Sequence, residues 1–241
     1  MKYIIPFALF TLSSILSFGQ NNYDDLLELV VDEKYERCLY KAVRYTEDDK
    51  TKKDPLPYLY MSMSYFRIHQ GDDEKVKEKF PKAFKESLKY VVKHRKKDKE
   101  NEYFAEFQDY FSELRLETMS EAEREVDNEK FTRSKGLYKY LVSLDESDPG
   151  AYLAYAHSLW MMKSRKDATL AWEEAKKILN EQGVDHLTED QLQLLKQSVI
   201  KTSEMLDEQG DRSAAKEWLE MTKPYFEEDP EFGVTYSTIV G

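Results

Sequence analysis

The segment Asp148-Pro149-Gly150-Ala151-Tyr152-Leu153-Ala154-Tyr155-Ala156-His157-Ser158 is the second copy of a pattern met 94 residues earlier as Asp54-Pro55-Leu56-Pro57-Tyr58-Leu59-Tyr60-Met61-Ser62-Met63-Ser64. A third Asp-Pro with a nearby aromatic, Asp229-Pro230-Glu231-Phe232, lies close to the end of the chain. Self-similarity of this kind marks a stack of helical hairpins, each burying its apolar face against the next.

Working outward, Tyr152, Tyr155, Ala156 and Leu159 fall at helical spacing and form one apolar stripe. Ser164-Arg165-Lys166-Asp167 has the form of a capping box, in which Ser reaches forward and Asp reaches back to free backbone donors. Ala168, Ala171, Trp172, Ala175 and Leu179 then continue as the apolar face of a return helix. Small residues at Ala156 and Ala168 let the two backbones approach closely. Gly and Pro are scarce in the whole chain, at 8 and 7 residues, so helices are expected nearly throughout.

These positions resemble the tetratricopeptide repeat. Its order of aromatic, small residue, turn, Ala and second aromatic corresponds to Tyr152, Ala156, Lys163, Ala168 and Trp172. From Ser134, the matching small residue of the preceding unit, to Ala168 is 34 residues, the family's period. Tyr138 takes the second aromatic position of that unit. Gly210 to Ala215 gives another turn followed by Ala, preceded by Val199, Ser203 and Leu206. Tyr58, Ser62, Gly71 and Val76 make a looser unit, and Cys38 opens the return helix of the first one where Ala is usual. The spacings between these small positions are 38, 58, 34 and 47 residues, so the array is irregular. The resemblance implies an all-α, right-handed solenoid of about five hairpins, forming one domain over residues 20–241 with the better-matching repeats in 130–226.

The 58-residue gap holds Tyr103, Phe104, Phe107, Tyr110, Phe111 and Leu114 at helical spacing. They predict a long helix over 100–129, with a possible restart at Ser120-Glu121-Ala122-Glu123, a second capping-box pattern. Glu181 to Thr188 is expected to be a plain linker with a cap at Thr188. The basic run Lys93-His94-Arg95-Lys96-Lys97-Asp98-Lys99 has two readings: the solvated carbonyl end of a helix, or a docking patch for an acidic partner.

The first nineteen residues have the grammar of a secretory leader. Lys2 is their only charge, Ile4 to Phe18 is apolar and small-polar, and Ser17-Phe18-Gly19 offers a cleavage site before Gln20. A soluble protein, periplasmic or otherwise exported, is expected. The leader is not followed by the Cys a lipoprotein needs, and no later apolar run is long enough to span a bilayer. The net charge of -11 disfavours nucleic acid and anionic lipid as partners. Cys38 is the single cysteine, so no intramolecular disulfide can form, and its place among the small positions marks it as a packing residue.

Chemistry is sparsely signalled. The four histidines, His69, His94, His157 and His186, have no metal-ligand spacing, and neither a phosphate loop nor a serine elbow is present. No metal or cofactor is expected. The resemblance places partner binding on the first helix of each hairpin, at Leu59, Met63 and Phe66 in one unit and at Leu153, His157, Trp160 and Met161 in another. Such an apolar, Met-bearing groove suits an amphipathic helix or an extended peptide. Alternatively the groove is filled from within, by the aromatic segment Tyr103 to Leu114 or by the tail from Pro230.

The expected function is a non-enzymatic scaffold or adaptor holding a protein partner in an envelope secretion or assembly machine. Two alternatives remain at this level. One is a hydrolase of envelope polysaccharide on a helical superhelix, which would show convergent carboxylates in a deep pocket, one with a strongly raised pKa. The other is a carrier of a small apolar ligand.

Overall fold

In the computed structural model, residues 23–241 are described; the expected leader lies outside them. Twelve helices and no strand are found among the described residues: α1 (Asp24–Val31), α2 (Tyr35–Glu47), α3 (Leu56–Gln70), α4 (Glu74–Lys79), α5 (Ala83–Lys97), α6 (Gln108–Asp127), α7 (Phe131–Leu144), α8 (Pro149–Met161), α9 (Arg165–Gln182), α10 (Glu189–Glu208), α11 (Arg212–Phe226) and α12 (Pro230–Ile239). Helices pack neighbour to neighbour along the chain, α2 on α3, α3 on α5, α6 on α7, α7 on α8, α8 on α9 and on α10, α10 on α11. Among the described residues no helix is long and apolar enough to cross a membrane.

One turn recurs four times. Glu33, Glu129, Lys163 and Gly210 all have positive φ, at 57°, 57°, 64° and 85°. At each, the residue's own N–H donates to the carbonyl three positions back, and the next N–H donates to the carbonyl five positions before it. The second bonds are Lys34 to Leu29, Lys130 to Glu125, Ser164 to Leu159 and Asp211 to Leu206, at 2.8–2.9 Å. This left-handed C-terminal cap closes the first helix of a hairpin and reverses the chain within two residues. Five residues beyond each turn stand Cys38, Ser134, Ala168 and Ala215, all fully buried. All four side chains are small, and Cys38 and Ser134 touch the next helix at the Tyr60 carbonyl and the Ser158 hydroxyl. The thiol of Cys38 lies 3.8 Å from the Leu26 carbonyl, and burial pushes its pKa up to about 11.

The second hairpin departs from the expected register. Gly71 has φ of -63° and makes no left-handed turn. The short α4 is inserted after it, capped by the Asp73 carboxylate, with no buried residue. Val76 therefore lies on this insertion and not at a helix crossing. The return helix is α5, whose Ala83, Ser87 and Leu88 are buried against α3.

The expected helix over 100–129 begins later. The Asp98 carboxylate accepts hydrogen bonds from the N–H groups of Glu102 (2.8 Å) and Tyr103 (3.2 Å), which holds Tyr103 to Phe107 in turns ahead of α6. From Gln108 the helix runs unbroken through Ser120-Glu121-Ala122-Glu123, because Met119 and Ala122 continue its buried face. The expected cap at Ser164 also differs: its hydroxyl donates to the Asp167 carboxylate at 2.7 Å instead of receiving a backbone N–H. Thr188 does cap α10, in a full capping box with Gln191. The three Asp-Pro pairs are not equivalent. Asp148 and Asp229 cap α8 and α12, whereas Asp54 accepts the Tyr23 hydroxyl and leaves Pro55 at the cap of α3.

Helices α8 and α10 approach closely at Gly150. A Cβ there would stand 2.6 Å from the Leu195 amide nitrogen and 2.8 Å from its Cα. Gly150→Ala is therefore expected to destabilise the protein by about 1–3 kcal/mol through overpacking of α8 on α10, seen as a lower urea midpoint. At the exposed turn, Lys163→Gly should raise stability by about 0.5–1 kcal/mol, since relief of the left-handed penalty outweighs the extra freedom of the unfolded chain. A lower midpoint for that variant would contradict the strain assigned to the turn.

Candidate functional site

The seven residues expected on an open groove divide into two groups. Leu59, Phe66 and Leu153 are fully buried core residues and do not line a groove. The start of α6 and the turns before it reach α3 and cover Phe66, while Leu59 lies within the core that α3 shares with its neighbours. Phe66 packs edge-on to Tyr110 (6.0 Å between centroids) and Tyr60 to Phe107 (6.2 Å). The hydroxyls of Ser62 and Tyr110 share a 2.6 Å hydrogen bond, and Arg67 forms a two-pronged pair with Glu113. Leu153 is sealed by the approach of α10 to α8. Met63 and His157 are half-buried, Trp160 is half-buried, and Met161 is 39% exposed. The tail does not enter this region: α12 packs on α10 and α11, and Arg212 holds it through the carbonyls of Thr238 and Ile239.

Two helices close over a third at the centre of the molecule. Arg115 on α6 reaches Asp190 at the start of α10 (2.5 Å), Ser112 reaches the same carboxylate (3.2 Å), and Glu123 on α6 pairs with Lys201 on α10 (3.5 Å). Between these ties His157 faces a cavity of only about 10 Å³, lined also by Tyr138, Ala154 and Gln197. Burial and the nearby Lys201 hold the His157 imidazole neutral, with a pKa of about 4. His94, stacked on Phe111, is likewise lowered to about 4 by burial.

The same junction gathers charge. Arg115 is 1% exposed, with Asp190 on one side, Asp148 at 4.0 Å on the other and the Thr188 hydroxyl at 3.4 Å. Asp145 accepts from Ser147 and from the Gln191 amide (2.9 Å), and the nearby Arg95 donates to the Leu144 carbonyl (2.7 Å). Burial raises the Asp148 carboxyl to about 6 against the opposing pull of Arg115. At Asp190 burial acts in the same sense, but Arg115 overcomes it and the carboxyl stays below its usual range.

Convergent carboxylates with one raised pKa are what the hydrolase reading asks for, so their surroundings decide its standing. Asp148 is fully enclosed; one oxygen accepts the Ala151 N–H at 3.1 Å as the cap of α8, and the other faces Arg115. Its geometry is that of a helix cap and counter-ion. The cleft next to it, about 520 Å³ in size, is lined by Arg95, Asp98, Asp145 and Ser147, of which Asp145 is already satisfied by its own hydrogen bonds. No group of His, Cys, Asp and Glu is arranged to hold a metal ion among the described residues.

The partly open feature lies at the edge where the hairpins turn. The Trp160 ring leans on Trp172 (4.7 Å, 38° between planes), and the Arg165 guanidinium lies 3.5 Å from its centroid. The Trp160 indole N–H donates to Gln209 Oε1 at 2.8 Å, and Arg165 also donates to that oxygen. Met161 and Met162 stand exposed alongside. Arg165 and Gln209 were missed in the sequence. The repeat register carries a signal for Gln209, because it precedes the turn residue Gly210 as Met162 precedes Lys163, which puts both on one edge. No protein-family model matches this chain, and no curated protein or solved structure does either.

The neutral imidazoles generate a pH dependence. Their folded pKa values lie below the unfolded value of 6.5, so the unfolded chain binds more protons and stability falls on acidification through that range. Between about pH 7 and about pH 5 each histidine should cost about 2 kcal/mol, whereas Asp148, raised in the fold, should return about 1 kcal/mol. Urea unfolding at the two pH values should show the net loss, and His157→Gln should remove roughly half of the histidine share. Stability that rises towards about pH 5 would contradict these burial assignments.

Proposed function

We propose that this chain is an exported, non-enzymatic scaffold of the tetratricopeptide type. It is a right-handed array of about five irregular hairpins that holds a protein or peptide partner in an envelope secretion or assembly complex. The four-fold turn followed five residues later by a buried small residue supports the repeat reading. The binding reading rests on one observation, the Trp160 ring in contact with Trp172 and Arg165 beside exposed Met161 and Met162. Trp and Arg held in fixed orientation dominate protein interfaces, since a large contact area is offered at little entropic cost. Soft Met side chains beside them adapt to the partner.

A second reading, a polysaccharide hydrolase, has Asp148 in its favour, with its pKa of about 6 among neighbouring carboxylates. Its enclosure beneath Arg115 weighs against that role.

The expected outcome for the scaffold is recovery of a stoichiometric partner after crosslinking of the mature protein in its native envelope. Trp160→Ala combined with Met161→Ala should weaken that capture by about tenfold or more while circular dichroism stays unchanged. Undiminished capture by the folded double variant would remove the edge from consideration. Polysaccharide cleavage lost on Asp148→Asn would favour the second reading.

A further inference from the structure

The inserted α4 builds a second surface. Between it, the C-terminal end of α3 and the starts of α5 and α7 opens a cleft of about 790 Å³, within the size range of ligand sites. Its lining includes Lys77, Lys82, Lys85 and Arg133 against a single carboxylate, Glu121. That carboxylate is already engaged by Arg124. Lys82 and Lys85 are exposed, and neither makes an ion pair among the described residues. Lys77 has only Glu74 at 4.0 Å, and Arg133 has Glu125 at 3.4 Å. The wall between the cations is apolar: Phe80, Pro81 and Phe84, the last stacked on His69 at 4.8 Å.

This concentration of positive charge is set in the sequence. Glu74 to Lys99 holds eleven Lys and Arg against four Asp and Glu, which leaves twenty-five against forty-three for the rest of the chain. Further along α5 the cations are used internally. Lys93 and Lys97 lie over Tyr90 and Tyr58 at 4.7 Å, and Lys97 also donates to the Lys52 carbonyl. At the start of α5 they are not.

We propose that this cleft docks a short acidic segment of a partner protein, one that carries an apolar side chain among its carboxylates. The inference rests on the scaffold reading but concerns a surface separate from Trp160. Lys82 and Lys85, which make no ion pair among the described residues, and the loosely paired Lys77 and Arg133 attract anions, and the Phe80–Phe84 wall selects for an apolar residue between them. A nucleic acid or an anionic membrane is disfavoured by size. Either extends past the recess, and outside Glu74 to Lys99 the chain carries forty-three Asp and Glu against twenty-five Lys and Arg, whose repulsion acts over roughly 10 Å at moderate ionic strength. A peptide confined to the cleft avoids it.

The test is fluorescence anisotropy of the full chain with a labelled peptide of glutamates and leucines as probe. Binding should weaken about tenfold or more in Lys82→Glu/Lys85→Glu and steeply with added salt, and Lys50→Glu/Lys53→Glu, in the exposed loop that leads into the opposite end of α3, should leave it unchanged. A peptide of lysines and leucines should bind the Lys82→Glu/Lys85→Glu variant better than the native chain. Both lysines are exposed, so loss of fold is not expected, and circular dichroism checks it. Binding indifferent to Lys82→Glu/Lys85→Glu would overturn the proposal, as would displacement of the peptide by phosphatidylglycerol vesicles or single-stranded DNA at lower concentration than by unlabelled peptide. A native partner lost on Trp160→Ala but retained by Lys82→Glu/Lys85→Glu would overturn the cleft and leave the scaffold standing.

Discussion

A single buried guanidinium sets the arrangement at the centre of this molecule. Arg115 enters from α6, meets Asp190 at the start of α10 and faces Asp148 at the start of α8. Three helices that are distant in sequence are thereby held in one register. An apolar contact tolerates sliding, but a charge withdrawn from water does not, because the loss of either partner leaves an uncompensated ion that costs roughly 3–5 kcal/mol. The Asp148 carboxylate is itself tied to the backbone of α8, so the fixed point extends from side chain to main chain. With α6 drawn onto α10, the hollow over α8 narrows to the small cavity at His157.

That closure explains why the fold was more legible in the sequence than the site. Helical spacing, Asp-Pro boundaries and small crossing residues are local signals, and Cys38, Ser134, Ala168 and Ala215 all occupy the crossings assigned to them. The groove residues required a different kind of knowledge, namely which side of each first helix stays uncovered. Leu59 and Phe66 were placed on an open side by analogy with regular arrays. Here Leu59 lies in the core, and Phe66 is covered by Tyr110, near the start of the α6 that follows the turns held by Asp98. Nothing in the spacing of the aromatics from Tyr103 to Phe111 says which partner they cover. Trp160 stays half-buried and Met161 partly exposed at the last turn of α8.

The turns were legible at Lys163 and Gly210 but not at Glu33 and Glu129. Three of the four recurring left-handed positions carry Glu or Lys, not Gly, so residue identity conceals a geometry that the backbone repeats. The second hairpin is the converse case. Gly71 looks like a turn glycine yet takes an ordinary backbone angle, and the reversal is spread over α4 instead. An array of nearest-neighbour contacts tolerates such an insertion, since it perturbs only the unit that carries it.

The lone thiol of Cys38 has a further consequence. Shut between α1, α2 and α3 with a pKa of about 11, it is almost wholly protonated at neutral pH and inaccessible to any electrophile in the closed state. Alkylation or oxidation at that sulfur must wait until the packing of α1, α2 and α3 opens, so the rate of labelling is the rate, or the population, of that opening. The chain thus carries a built-in clock for its N-terminal hairpin, free of interference from any other cysteine.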